Sequence, residues 1–272
     1  MLNKLIKKLL YRPFFRGQDR LFHFFFKKGF LNDGNIVVKP REGNFEINCN
    51  TSTWIGARIV YIGDYEPEVK NVFKQYIQQN NTVLDIGANI GLHSLYFSEL
   101  VGNAGNVISY EPVQQNFVLL EQNVKQNGYN NIEIRNIALG NKNEAIGLSI
   151  DVNSSNPGSY NLFDNDGQMM INCRIGDEVV DQPVDFIKID VEGYEAFVID
   201  GLTKTIRRDL PKILFEYDPF YHHKTKLPKD FIFQKLLKLG YTFYKINRKN
   251  LEKVIIFDQV KSCNILALVD DN

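Results

Sequence analysis

The feature that most constrains this sequence is a strand-like segment, Thr82–Ile86, that runs directly into a turn with two glycines. Beyond the turn, apolar residues recur at helical spacing from Leu92 to Leu100. The pattern predicts a strand, a tight turn and a helix. Gly87 and Gly91 can adopt backbone angles that other residues avoid, and the N-terminus of the helix presents free N–H groups. We therefore expect this turn to receive a nucleotide-like ligand.

Two acidic residues narrow the choice of ligand. The turn lacks the Gly-x-Gly-x-x-Gly spacing by which dinucleotide-binding folds hold a pyrophosphate. Asp85 would repel a pyrophosphate, but it can accept hydrogen bonds from the cationic amino group that S-adenosylmethionine carries. Glu111 ends the next predicted strand, which begins at Val107, and nucleotide-binding folds place there the acid that binds ribose hydroxyls. We therefore predict that S-adenosylmethionine binds across Asp85, Gly87, Ala88, Asn89, Gly91 and Glu111.

Four stretches of the sequence occur together in one known family. They are Asp85–Gly91, Tyr110–Pro112, Ala138–Gly140 and Phe186–Glu195. With these stretches, the part of the chain from about residue 61 to 267 resembles the FkbM-type S-adenosylmethionine-dependent methyltransferases. The resemblance implies a class I methyltransferase fold, which is a Rossmann-like α/β sheet, mostly parallel with an antiparallel last strand and helices on both faces. It also places Ala138 beside the adenine, and it implies methyl transfer to a hydroxyl oxygen, typically on a sugar, glycan or polyketide-like acceptor.

Candidate catalytic residues follow from where the predicted strands end. Val184–Ile189 is a largely apolar run suited to a central parallel strand, and Asp190 follows it directly. Open α/β sheets gather ligands at this edge, and Glu216 reaches it from the next strand. Transfer to an unactivated alcohol requires alignment and removal of a proton. Asp190 is our first candidate for the base and a candidate cofactor contact, and the other candidates are Glu192, Glu216, His93, His222 and His223.

The same carboxylates raise the question of a metal ion. Hard divalent cations bind oxygen ligands, which Asp190, Glu192, Glu216 and Asp218 could supply. The sequence does not show that these residues converge, so the metal ligands remain unknown. Carboxylates can also hold acceptor hydroxyls without a metal, and we therefore do not favour one.

Three other functions compete with methyl transfer to a small molecule. A nicotinamide-dependent oxidoreductase shares the fold and the ribose acid, but it needs the third glycine that this turn lacks. A non-catalytic binding module would be favoured by loss of Asp85 or of the glycines, which are present. A nucleic-acid methyltransferase usually carries an Asn/Asp-Pro-Pro-aromatic motif and a basic cleft. Here the motif is missing and 32 basic residues equal 32 acidic ones, so we expect no nucleic-acid partner.

Residues 1–30 differ in composition from the rest of the chain. Leucines recur at helical spacing in residues 2–10, and lysines occupy the other face. Two interpretations stay open: a helix packed on the domain or on a partner in a homodimer, or a peripheral contact with a membrane surface. Three scattered cysteines and the lack of a long apolar run favour a reduced, cytoplasmic protein. We divide the chain into an extension, 1–60, and a methyltransferase domain, 61–272.

Weaker patterns complete the prediction. Short alternating stretches between Ile36 and Ile62, including Arg58–Tyr61, predict a small β element, within which Trp54 is expected in the core. Two further strands, Glu144–Ile150 and Met169–Ile175, flank a polar stretch, 151–168, which is either a surface loop or an acceptor-binding lid. A single helix is predicted from Tyr194 to about Arg207.

Overall fold

A computed structural model describes residues 2–11, 15–150, 160–161, 169–221 and 225–269. The strands are β1 Asn35–Val38, β2 Ile47–Asn50, β3 Thr82–Ile86, β4 Asn106–Tyr110, β5 Ile132–Arg135, β6 Ala138–Gly140, β7 Glu144–Ile150, β8 Tyr160–Asn161, β9 Met169–Ile175, β10 Phe186–Ile189, β11 Lys212–Tyr217, β12 Tyr241–Ile246, β13 Leu251–Lys253 and β14 Cys263–Val269. The helices are α1 Leu2–Leu10, α2 Gln18–Lys27, α3 Trp54–Tyr61, α4 Pro67–Tyr76, α5 Leu92–Val101, α6 Gln114–Asn127, α7 Gly176–Val179, α8 Glu195–Gly201, α9 Thr203–Asp209 and α10 Phe231–Leu237, with a 3₁₀ turn at Phe257–Gln259.

An eight-stranded sheet forms the centre of the molecule, in the order β13-β12-β14-β11-β10-β3-β4-β5. The five strands from β11 to β5 run parallel to one another. The last strand, β14, inserts antiparallel between β11 and β12. This arrangement confirms the predicted class I methyltransferase topology, with an antiparallel final strand in a mostly parallel sheet.

Alternate residues of the central strands divide between two apolar cores, one on each face of the sheet. In β10, Phe186 packs with Phe73 and Phe97 from helices α4 and α5. Its neighbour Ile187 belongs to the opposite core, which includes Val198 of α8. Because both faces of β10 are buried, the strand is largely apolar, as the sequence predicted, and its one charged residue is the buried Lys188. Helices therefore cover both faces of the sheet.

The N-terminal segment joins the core on the α4–α5 face. Ile6 and Leu10 of α1 and Phe22 of α2 are buried there, and β1 pairs with β2 as a separate antiparallel ribbon. The predicted strand at Arg58–Tyr61 is wrong, because these residues lie in α3. This helix is buried on most of its surface, so its apolar residues do not show helical spacing, and its start depends on the Thr53 side chain, which accepts the Gly56 N–H.

Three other predictions concern the second half of the chain. The strands at Glu144–Ile150 and Met169–Ile175 are confirmed as β7 and β9, and they form a second sheet in the order β6-β9-β7-β8. The single helix predicted from Tyr194 is divided into α8 and α9 at Leu202, where helical hydrogen bonding restarts. Apart from Tyr160–Asn161, the predicted loop or lid at 151–168 lies outside the described residues, as does Phe163 within it. Within the described ranges, no helix is long and apolar enough to cross a membrane.

Candidate active site

The turn after β3 has the backbone geometry that its glycines predicted. Gly87 and Gly91 have φ values of 81° and 91°, and Asn89 between them has a φ of 51°. A Cβ atom on Gly87 would lie 1.9 Å from the backbone oxygen of Asp190. Glycine at this position therefore allows the first turn and the end of β10 to come into contact.

We expect Gly87→Ala to destabilise the protein by about 2 to 5 kcal/mol, because it combines an unfavourable φ with a collision against backbone. Gly128→Ala is the matched control: its φ is 69° and no atom lies within 4 Å of the added Cβ. That control should cost only about 1 kcal/mol. Urea unfolding of both variants measures the difference, and equal losses would show that the contact with Asp190 adds nothing.

Glu111 is held rigidly at the end of β4. Its two carboxylate oxygens accept the backbone N–H groups of Asn89 and Val113 at 2.8 and 2.9 Å. The residue is 4% exposed, and burial, partly offset by these hydrogen bonds, raises the pKa of Glu111 to about 7. Each oxygen retains a lone pair, so the carboxylate can accept two further hydrogen bonds from neighbouring hydroxyls.

Lys188 connects the first turn with the end of β10. Parallel pairing places Lys188 opposite Asp85, and the ammonium lies 3.4 Å from Asp85 Oδ1, 3.4 Å from Asp190 Oδ2 and 3.1 Å from the Gly87 oxygen. Burial opposes the charge on Lys188, but Asp190 and Asp85 outweigh it and raise its pKa. Lys188 lies within the Phe186–Glu195 motif, but the sequence alone assigned it no role.

The structure changes the role expected of Asp85. Its side chain is fully buried, Oδ2 accepts a hydrogen bond from Ser94 Oγ at 2.6 Å, and Oδ1 faces Lys188. Asp85 is not among the residues that line the cavity of this site, which leaves the predicted direct contact with an amino group without support from the geometry. The register of β3 against β10 places the lysine between this carboxylate and the cavity, and Asp85 instead fixes that lysine.

A cavity of about 270 Å³ opens along the carboxyl ends of β3, β4, β10 and β11. Of the predicted cofactor residues, Gly87, Ala88, Asn89, Glu111, Ala138 and Asp190 line it. Gly91 does not, because it packs against Leu120 of α6. Apolar wall residues surround the Glu111 end, and they are Pro112, Val113, Ile137, Ala138 and Leu139.

Carboxylates gather at the opposite end of the cavity. The predicted catalytic residues Asp190, Glu192 and Glu216 all line it, and Tyr221 donates its hydroxyl to Glu192 Oε2 at 3.1 Å. Burial, followed by the charge of Asp190, raises the pKa of Glu192 to about 7. The same causes, with Glu192 in addition, raise the pKa of Glu216 well above its usual range. Burial and nearby negative charge therefore disfavour the ionised forms of Glu192 and Glu216.

His93 also lines the cavity, although it is not arranged as a strong base. Its side chain is 7% exposed, and burial, together with Lys188, lowers its pKa to about 3. Neither ring nitrogen has a hydrogen-bond partner among the described residues, although Nε2 lies 3.6 Å from Glu66 Oε2. The imidazole is thus neutral and available to a ligand. His222 and His223 lie outside the described residues.

Sequence reasoning missed the N-terminal wall of the cavity. Trp54, Tyr65 and Glu66 line it, and Trp54 also packs edge-on against Phe22, which satisfies the predicted core role. Glu66 has a φ of 52° and accepts a hydrogen bond from Asn264 at 3.1 Å. In the sequence, the position of Glu66 before Pro67 indicates only that a helix starts there. Its hydrogen-bond partner Asn264 is 198 residues away, so no local pattern could predict that Glu66 lies in the site.

The described residues do not assemble a recognisable metal site. No group of three His, Cys, Asp or Glu side chains within them is placed to hold a metal ion. Asp218, which the metal hypothesis included, does not line the cavity, and its Oδ1 accepts the backbone N–H of Phe220.

The mostly parallel sheet with an antiparallel last strand, together with a cavity at its carboxyl edge, is the class I methyltransferase fold. Residues 85–243 match the family described as "Methyltransferase FkbM domain", and the chain belongs to this family. The match includes every predicted catalytic and cofactor residue. It confirms the family suggested by the sequence motifs.

Individual relatives are more distant. The chain is 25% identical over 146 residues to the hexuronic acid methyltransferase AglP of Haloferax volcanii, an alignment that covers 52% of this chain and 58% of AglP. An FkbM methyltransferase structure from Methylobacillus flagellatus is 20% identical, covers 69% of this chain and 43% of that chain, and has a TM-score of 0.46. An O-methyltransferase structure from Thermotoga maritima is 14% identical, with coverages of 90% and 82% and a TM-score of 0.44.

Proposed function

We propose that this protein transfers a methyl group from S-adenosylmethionine to a hydroxyl oxygen of a sugar or a similarly hydroxylated small molecule. The observation that carries the proposal is the polarity of the cavity: a fixed acid among apolar residues at one end, and a cluster of carboxylates at the other. These two ends suit a nucleoside and an acceptor, respectively. The similarity to AglP, a methyltransferase named for hexuronic acid, supports a sugar as the acceptor.

The residues at the first end fit S-adenosylmethionine. Glu111 can accept both ribose hydroxyls, because each of its oxygens is held by one backbone N–H and has a lone pair left. Ala138 and its apolar neighbours suit an adenine ring. Asp190 lies at the cavity wall close to Gly87, where it can attract a cationic group. When bound, the cofactor supplies a methyl group on a positively charged sulfur.

We assign the removal of the acceptor proton to Glu192 rather than to Asp190, our first candidate from the sequence. A general base is most effective when its pKa lies near the working pH, as that of Glu192 does. Tyr221 orients the Glu192 carboxylate, whereas Asp190 shares the ammonium of Lys188. In this assignment Asp190 and Lys188 position the reacting groups, and Glu192 receives the proton.

The cofactor assignment predicts that Glu111→Gln weakens S-adenosylmethionine binding by about 10- to 100-fold, because a hydrogen bond to a charged acceptor contributes about 1.5 to 3 kcal/mol. Glutamine keeps the shape but loses the charge and one acceptor oxygen. Calorimetry with S-adenosylmethionine and with NAD measures the effect. Glu121→Gln, on the exposed side of α6, is the control and should bind normally. Unchanged affinity in Glu111→Gln, or tighter binding of NAD, would contradict the assignment.

Methyl transfer itself is tested with radiolabelled cofactor and pooled glycans and small metabolites as acceptors. We expect label in O-methyl ethers of sugars, identified by mass spectrometry after hydrolysis. Label found only in protein or nucleic acid would contradict the proposed acceptor class and leave the cofactor assignment intact.

A further inference from the structure

The charge of the cavity wall is strongly unbalanced. Among the described residues that line the cavity, the acidic ones are Glu66, Glu111, Asp190, Glu192 and Glu216, whereas Lys188 is the one lysine and no arginine is present. Glu111 belongs to the nucleoside end. Asp190 lies beside Gly87 and is assigned to the cationic group of the cofactor. Glu66, Glu192 and Glu216 are left to face the space for the acceptor.

Lys188 does not neutralise Glu66, Glu192 or Glu216, because its ammonium is already shared between Asp85 and Asp190. The described lysines and arginines form no ion pair with Glu192 or Glu216. Burial is the main cause of the raised pKa values of both residues, and the negative charge of Asp190 adds to it. A positive charge placed among them would relieve both costs.

A second observation at this end points to a ligand. His93 is buried, faces the cavity and has no hydrogen-bond partner among the described residues, which is costly unless a ligand supplies one. Its Nε2 lies 3.6 Å from Glu66 Oε2, too far for a hydrogen bond between them. A hydroxyl oxygen about 2.8 Å from each could donate to Glu66 and accept from His93.

We propose that the acceptor is a hydroxylated compound that carries a protonated amino group, as an amino sugar does, with Glu192 and Glu216 binding the ammonium and Glu66 and His93 binding a hydroxyl. The proposal rests on the proposed function and defines its substrate class. It separates this chain from AglP, whose name specifies hexuronic acid, a sugar of opposite charge. A carboxylate on the acceptor would face the acidic cluster, where the one described lysine of the cavity wall is already paired with Asp85 and Asp190.

The test compares four sugars of similar shape: glucosamine, N-acetylglucosamine, glucose and glucuronate. Binding is followed by calorimetry or ligand-observed NMR, with the enzyme saturated by S-adenosylhomocysteine. We expect glucosamine to bind about tenfold or more tightly than glucose and N-acetylglucosamine, and glucuronate to bind least, because charge-assisted hydrogen bonds are roughly twice as strong as neutral ones. Equal affinities, binding of none of the four, or a preference for glucuronate would overturn the proposal.

Variants identify the responsible groups. Glu216→Gln and Glu192→Gln should each reduce the preference for glucosamine over glucose by about tenfold, with S-adenosylhomocysteine affinity unchanged. His93→Phe keeps the aromatic contacts with Phe73 and Phe97 and should weaken both sugars equally. Glu121→Gln is the surface control. A preference for glucosamine that survives both charge-removing variants would overturn the assignment of the ammonium site.

The outcomes also separate this proposal from the one on which it rests. If S-adenosylhomocysteine fails to bind, the proposed function fails. If the cofactor product binds and methyl transfer is found on a neutral or acidic sugar, the proposed function stands and the amino-group proposal falls.

Discussion

Replacing Glu192 by glutamine is expected to lower the rate of methyl transfer by about two to four orders of magnitude, with S-adenosylmethionine affinity nearly unchanged. Glutamine preserves size and can still accept the hydrogen bond from Tyr221, but it cannot take a proton. The carboxylate lies at the acceptor end of the cavity, away from Glu111 and the nucleoside. Single-turnover kinetics at saturating cofactor measure the loss in the chemical step.

The pH profile provides a readout that a structural role would not change. Because the base acts only when deprotonated, the wild-type kcat/KM for the acceptor should rise with pH through about 7, where Glu192 of the free enzyme loses its proton. The residual rate of Glu192→Gln should lack that rise. Tyr221→Phe, which removes the orienting hydroxyl, should cause a smaller loss and retain the rise.

Asp190→Asn is the decisive comparison for the base. Normal turnover in Glu192→Gln together with a large loss in Asp190→Asn would return the role of base to Asp190. Activity of Asp190→Asn that is restored only by added magnesium or manganese would instead identify Asp190 as a metal ligand. If both variants lose activity but only Glu192→Gln loses the pH-dependent rise, Glu192 is the base and Asp190 positions the reacting groups.

The sheet could be predicted because its strands carry a strong local signal. Strands buried on both faces, such as Phe186–Ile189, are mostly apolar, with Lys188 as the exception here, and the turn at Gly87 requires glycine because a side chain would collide with backbone. Arg58–Tyr61 was misassigned because a helix buried on most of its surface loses the periodicity that distinguishes it from a strand. Burial on both faces therefore made β10 recognisable as a strand, whereas burial of most of α3 concealed its helical periodicity.

The candidate site was predicted where its residues follow strand ends and missed where it depends on packing. Glu111, Asp190 and Glu216 reach the cavity because parallel strands end at one edge. Sequence spacing could not show that Lys188 stands between Asp85 and the cavity, since this depends on the register of β3 against β10. The sequence likewise could not show that Glu66, which follows no strand of the central sheet, lines the cavity.

Replacing Lys188 by methionine is expected to destabilise the protein by about 3 to 5 kcal/mol, the cost of leaving one partner of a buried ion pair uncompensated. The lysine side chain is 4% exposed, and Asp85 beside it is completely buried. Because the folded-state pKa of Lys188 is raised, its contribution is fully present at neutral pH and would be lost only as the pH rises through that value. Denaturant unfolding at neutral pH measures the loss.

Two further variants test the cause. Lys235→Met removes a lysine whose ion pair with Asp200 is partly exposed, so it should cost no more than about 1 kcal/mol. In the double variant Lys188→Met/Asp85→Asn, the buried charge disappears and asparagine can still accept the Ser94 hydroxyl, so much of the lost stability should return. A loss in Lys188→Met no greater than in Lys235→Met, or a double variant as unstable as the single one, would contradict the role of Lys188 as the counter-charge of Asp85. Recovery of stability without recovery of methyl transfer would show that the ion pair which holds the fold together also positions Asp190 for the reaction.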